Sequence, residues 1–276
     1  MTPDGHTSTQ ARDESTADGA PLLALDSVSC EYKLDGGGRF RAVDGVSLQL
    51  GRSEVLGLVG ESGCGKSTLA KLICGLEKPA GGSITFAGSP VRSLGLKKRA
   101  KSLLGIQMVF QNPYASLNPR RRIRDQLEDA LALDPSGSWS VESLLEAVDL
   151  PKDSAQRYSH SFSGGQRQRI AIARALAAGP KVLVGDEPIA SLDAFLQARI
   201  ARMMRDLAID SGASMIFISH DLSVVRDIAD RVAVMEAGRI VEVAPTAEIW
   251  NDPRHPYTKK LLAAIPKVDG KGMIPG

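Results

Sequence analysis

Gly60-Glu61-Ser62-Gly63-Cys64-Gly65-Lys66-Ser67 fits the spacing G-x-x-x-x-G-K-[ST], a pattern of residue types that suits phosphate. Its glycines let backbone amides converge on phosphate oxygens with no Cβ in the way, and a helix opening through Ser67 and Thr68 adds a favourable dipole. Lys66 is placed to reach the β and γ phosphates of a nucleotide, and Ser67 to ligate Mg²⁺. A second metal ligand and a base are offered by Val182-Leu183-Val184-Gly185-Asp186-Glu187, where an apolar run ends in two carboxylates. Asp186 is expected to hold Mg²⁺ through water. Glu187, one residue further and so directed elsewhere, is expected to polarise the attacking water. Ser163-Gly164-Gly165-Gln166, preceded by Phe162, reads in two ways: a helix cap, or a second nest of amides facing a γ-phosphate.

These groups need rigid elements beneath them. Val55 to Val59 is continuously apolar, as a strand buried on both faces of a parallel sheet should be, and it runs straight into the glycine-rich loop. A helix is predicted from Ser67 to Cys74, with Gly75 at its end. Ile106 to Phe110, Lys181 to Val184 and Met215 to Ile218 read as further buried strands. Leu196, Ile200, Met203, Met204 and Leu207 share one helix face, and Leu222, Val225 and Ile228 another. Strand and helix in alternation predict parallel pairing with right-handed crossovers. Leu23 to Tyr32 and Ala42 to Leu50 alternate as an antiparallel pair, Arg231 to Met235 and Arg239 to Val243 as a hairpin. Residues 113–178 read as a mostly helical subdomain, and the tail from Pro245 as one short helix with a Pro-rich end. Residues 1–21 read as a disordered leader.

Composition narrows the class. The chain has 276 residues, 43% hydrophobic and 24% charged, ordinary values for a globular protein able to bury a core without disulfides. Lys+Arg 34 against Asp+Glu 32 leaves +2, which argues against a nucleic-acid partner. Cys30, Cys64 and Cys74 form no C-x-x-C pair, so neither a disulfide framework nor a zinc site is indicated. No run approaches the roughly 20 apolar residues of a membrane helix.

Taken together the motifs resemble the ATP-binding subunit of an ABC transporter. Gly60 to Ser67 is similar to Walker A, Val182 to Asp186 to Walker B and Phe162 to Gln166 to the signature; Gln111 after Phe110 resembles the Q-loop, Ser191-Leu192-Asp193 the D-loop, and His220 after Ser219 the switch histidine. Tyr32 resembles the aromatic that stacks on adenine, with Phe40 as a competitor. The resemblance covers about residues 22–265. It implies an α/β P-loop ATPase with a RecA-like core, an antiparallel β subdomain and a helical subdomain, the cassette spanning 22–244 and an extension 245–276.

The same resemblance implies ATP and Mg²⁺ as cofactors, with Ser67, Gln111 and Asp186 at the metal. Its nucleotide would lie between Tyr32, residues 60–68 and a partner's Ser163, Gly164, Gly165, Gln166 and Asp193; Lys66, Gln111, Glu187 and His220 would act on the reaction. Expected partners are a second ATPase subunit, identical or different, two membrane permease subunits and, indirectly, an extracytoplasmic solute-binding protein, the chain lying peripherally on the cytoplasmic face of the cell membrane. Gln111-Asn112-Pro113-Tyr114-Ala115-Ser116-Leu117-Asn118-Pro119-Arg120 and His255-Pro256-Tyr257-Thr258-Lys259-Lys260-Leu261-Leu262 are similar to the oligopeptide/dipeptide/nickel importer group, which implies a peptide, a nickel or other metal chelate, or another small solute. An ABC ATPase acting on nucleic acid or ribosomes, the alternative class, generally carries two cassettes or a long insertion. The chain departs from the family in Ala190-Ser191, an exchanged order before Leu192-Asp193, and in Ser159 and Ser161 around His160. Two features stay open on the residues alone. Arg120-Arg121-Arg122-Arg124 is a solvated face or a contact with the membrane subunit or lipid, and Cys64, beside Lys66 and a helix N-terminus, is a reactive thiol or an inert buried one.

Overall fold

The computed structural model describes residues 20–34, 36–94, 101–113, 116–134, 136–190 and 192–265. Most of the expected leader, Tyr114, Ala115, the D-loop's Ser191 and the end of the tail lie outside them.

Six strands form the central sheet. They are β3 (Val55–Val59), β6 (Ile106–Val109), β7 (Val182–Asp186), β8 (Ser214–Ile218), β9 (Arg231–Glu236) and β10 (Arg239–Pro245), in the order β10-β9-β3-β8-β7-β6. β9, β3, β8, β7 and β6 run parallel, and only β10 is antiparallel to its neighbour. The two-residue period of a strand sorts their side chains to opposite faces. Leu56, Leu58, Val184, Ile216 and Ile218 join one buried cluster, whereas Val55, Val59, Leu183, Met215 and Phe217 join the other.

A second sheet, β1 (Leu23–Lys33), β2 (Arg39–Leu50), β4 (Gly81–Phe86) and β5 (Ser89–Pro90), is antiparallel in the order β2-β1-β4-β5. It covers the first face together with α1 (Lys66–Ile73), whose Leu69, Ala70, Leu72 and Ile73 share that cluster. β4 and β5 extend the two-stranded pair expected from sequence. On the other face lie α4 (Gly164–Ala177), α5 (Ala194–Asp210) and α6 (Leu222–Ile228), with α2 (Ile123–Leu131) and α3 (Val141–Ala147) completing a helical layer on α4. The tail holds two helices rather than one, α7 (Thr246–Asn251) and α8 (Pro256–Ala263). Pro256 at the start of α8 suits a first-turn position that has no N–H to lose.

Within the arginine run, Arg124 meets Glu142 at 2.5 Å and Glu128 at 3.4 Å, Arg121 meets Asp129, and Arg122 donates to Gln156 at 2.8 Å. Much of this charge is therefore spent inside the helical layer.

Candidate functional site

The loop between β3 and α1 is pressed against neighbouring backbone. Gly60 has φ +152° and Gly65 φ +113°; a Cβ on the first would stand 2.1 Å from the Met235 carbonyl oxygen, and on the second 2.2 Å from that of Ala42. Only glycine fits either place. The loop thereby lies over the end of β9 and beside β2. Gly238 donates its N–H to the Cys64 carbonyl at 2.9 Å, fixing the loop from the far side.

Lys66 is 5% exposed. Its Nζ donates to the carbonyls of Gly60 (2.7 Å) and Glu61 (2.9 Å). Ser67 Oγ donates to Asp186 Oδ1 at 2.8 Å, joining α1 to the end of β7. Burial pushes the Asp186 carboxyl above the ordinary carboxylate range, against the bond from Ser67, and the neighbouring Glu187 adds to the rise. A hydroxyl and a carboxylate, both hard oxygen donors, suit Mg²⁺, which commonly completes its shell with phosphate and water. Among the described residues no cluster of three His, Cys, Asp or Glu could hold a metal by itself.

Glu187 takes φ +46° directly after the strand, and its N–H bonds the Ile218 carbonyl of β8 at 3.1 Å. A non-glycine residue in this region is uncommon and marks a backbone held by its surroundings. Its Oε2 lies 3.1 Å from His220 Nδ1. The carboxylate is one-fifth exposed while the imidazole is mostly in solvent.

Around these groups opens a cleft of ≈ 280 Å³ lined by Ser62, Gly63, Gly65, Lys66, Ser67, Thr68, Gln111 and Glu187, with Tyr32, Phe40 and Ala42 opposite. Tyr32 and Phe40 are cross-strand partners on β1 and β2. Phe40 stands half exposed, and burial pushes the Tyr32 phenol up, against an opposing effect of Thr68. Both rings therefore border the cleft. Gln111 sits just past β6, where Gln168 Nε2 donates to the Phe110 carbonyl at 3.4 Å; the other amide atom of this buried glutamine, Oε1, has no hydrogen-bond partner.

Ser163, Gly164, Gly165 and Gln166 do not line that cleft. Ser163 Oγ accepts from the Gln166 N–H (3.3 Å) while Gln166 Oε1 accepts from the Ser163 N–H (3.0 Å), a reciprocal capping box at the start of α4. Asp193 caps α5 with a single bond, its Oδ1 accepting from Leu196 N–H at 3.0 Å. Cys64 is buried, and desolvation raises its thiol pKa despite the nearby Lys66, which favours the inert reading.

Two contacts join segments far apart in sequence and leave no local signal. One is the Gln168–Phe110 bond, which ties α4 to the end of β6. The other is made by Tyr257, whose Oη accepts from the Glu61 N–H at 2.9 Å; in sequence it reads only as a subfamily mark. A buried tyrosine needs a polar partner, but nothing local says which.

Comparison with known proteins accords with this geometry. The ABC transporter family model matches residues 43–190, and that for the oligopeptide/dipeptide transporter C-terminal region matches 241–275. The oligopeptide transport ATP-binding protein OppF of Bacillus subtilis is 46% identical over 241 residues, 84% of this chain and 78% of that protein. The dipeptide transport ATP-binding protein DppF of Haemophilus influenzae is 48% identical over 233 residues, 83% and 71% of the two chains. Among solved structures, the dimeric post-hydrolysis ATP-binding cassette MJ0796 bound to ADP and Pi superposes with TM-score 0.70 at 26% identity, covering 82% of this chain and 99% of that one. The cbiO1 cassette of Clostridium perfringens matches equally, at 27% identity over 84% and 91%. The chain belongs to the ABC transporter family and is one of its ATPase subunits. Within that family its C-terminal region sets it among the oligopeptide/dipeptide transport ATP-binding proteins. No helix of the described residues is long and apolar enough to cross a membrane.

Proposed function

We propose that this chain energises the import of peptides, binding and hydrolysing MgATP as one half of an ATPase dimer docked on two membrane subunits at the cytoplasmic face. One observation carries the reading. Lys66, Ser67 and Glu187 line a single cleft, with Asp186 bonded to Ser67 and His220 to Glu187 behind them, while Ser163 does not line it. In this reading Tyr32 or Phe40 stacks on adenine, residues 60–68 cradle the phosphates and Lys66 turns its ammonium toward them. Ser67 and Asp186, with Gln111, hold Mg²⁺, which supplies charge neutralisation at the phosphates. Glu187 accepts a proton from the attacking water and His220 fixes the carboxylate's direction. Ser163, Gly164, Gly165, Gln166 and Asp193 serve the nucleotide held by the other subunit. Phe195, 82% exposed beside Asp193, supports a surface that is covered on assembly. The relatives named for oligopeptide and dipeptide transport support the choice of solute.

The test is reconstitution with the membrane subunits in lipid vesicles, with the solute-binding protein added. Peptide-loaded binding protein should raise ATP hydrolysis severalfold and drive peptide uptake. Stimulation by a nickel chelate and not by peptide would move the assignment to metal import.

A further inference from the structure

The C-terminal extension reaches the phosphate loop through a buried side chain, Tyr257. Glu242 on β10 accepts two backbone N–H groups, Arg254 at 2.8 Å on Oε1 and His255 at 3.0 Å on Oε2. His255 Nδ1 then accepts from the Tyr257 N–H at 3.2 Å, capping α8. The histidine caps, the proline opens the helix, and the tyrosine, 7% exposed in the same cluster as Val55 and Val59, points its hydroxyl at the loop. Its partner there is the Glu61 N–H, at 2.9 Å across 196 positions of sequence. The carbonyl of that same residue accepts from Lys66 Nζ at 2.9 Å. Glu61 is thus held on its amide side by Tyr257 and holds Lys66 on its carbonyl side. The Lys260–Glu61 ion pair, 3.7 Å long between exposed groups, adds little to this tether.

We propose that Tyr257 is a positioning residue for Lys66, fixing the opening turn of the phosphate loop through Glu61 and so coupling the C-terminal extension to nucleotide affinity. It touches the loop and does not line the cleft, and the proposal rests on residues 60–67 being the nucleotide site. Tyr257→Phe in the full-length chain keeps the ring and its packing and removes only the hydroxyl. The KM for MgATP and the equilibrium Kd for ATP should both rise about 5-fold, the ordinary worth of one hydrogen bond, with kcat within about twofold of wild type. A purely packing role would move the melting temperature of Tyr257→Ala and leave the KM of Tyr257→Phe where it was. Wild-type KM and Kd in Tyr257→Phe overturn the proposal. Lys66→Ala, assayed in parallel, separates the two failures: loss of ATP binding there upholds the loop assignment, whereas retained binding removes the assignment and the proposal together.

Discussion

The cleft at Lys66 and the surface at Ser163 use similar parts, glycines and a hydroxyl where a helix starts, yet they are built differently. At the cleft, polar groups are tied to other elements of the chain or to the loop itself: Lys66 to loop carbonyls, Ser67 to a buried Asp186, Glu187 to His220. At Ser163 the polar groups are tied to their own helix, Ser163 and Gln166 to each other and Asp193 to Leu196, with Phe195 left in solvent beside them. Folding alone therefore orders the walls of the cleft, and in the proposed reading Lys66 is the group that must turn when a nucleotide binds. The second region is ordered as a pair of helix ends, and its glycines and hydroxyl do not line the cleft. The difference is what the proposed sharing of a site between two chains would require: one half formed by packing, the other presented at a surface.

The largest expected effect breaks the cleft side. Glu187→Gln should retain ATP affinity within about threefold and lower phosphate release by about 10²- to 10⁴-fold, the usual contribution of a positioned base. Glutamine keeps a hydrogen-bonding group toward His220, so the turn it occupies should persist. Equilibrium nucleotide binding and a phosphate-release assay on the same sample decide it, and turnover near wild type would remove Glu187 as the base.

Ser163→Ala sharpens the other side. Binding of ATP to the isolated chain should be unchanged, since Ser163 does not line the cleft. Hydrolysis at concentrations that permit assembly should fall about 10- to 100-fold, the worth of one hydrogen bond to a charged group. Loss of the cap should cost about 1 kcal/mol of stability, read by denaturant titration. A drop in ATP affinity matching the drop in hydrolysis would place Ser163 at its own chain's nucleotide and dissolve the contrast.

How well each region could be read from sequence follows from the range of the forces that shape it. β3, β7 and β8 are runs whose every residue is buried, so their apolar composition marked them directly. The phosphate loop was legible because its glycines answer to close backbone neighbours that no other residue tolerates. β4 was not, because its first three residues, Gly81-Gly82-Ser83, are exposed and only Ile84 and Phe86 alternate into the core. The capping role of Ser163 was one of two readings, since a cap and a phosphate nest ask for the same residues. Contacts such as Tyr257 with Glu61, or Gln168 with Phe110, join distant segments and leave no periodic trace.

Asp186→Asn carries the smallest effect and tests whether the cleft's order has a cost. Burial raises the folded-state pKa of this carboxyl above the ordinary 3.8, so its contribution to stability is fully present below that ordinary value and is lost as pH rises through the raised one. Above that window the burial of this carboxyl therefore costs the nucleotide-free protein stability. Asparagine removes the charge and still accepts from Ser67 Oγ through its amide oxygen. Its melting temperature should exceed wild type by a few degrees at pH 7, about what 1 kcal/mol does in a domain of this size, and the gap should close as pH falls toward 3.8. MgATP should reverse the order, because the cation offsets the charge only where the carboxylate remains, and should stabilise wild type more than the variant. Scanning calorimetry across pH with and without MgATP reads both signs. A variant no more stable than wild type at neutral pH would mean that the Ser67 bond outweighs desolvation, and the phosphate side would then be ordered without cost.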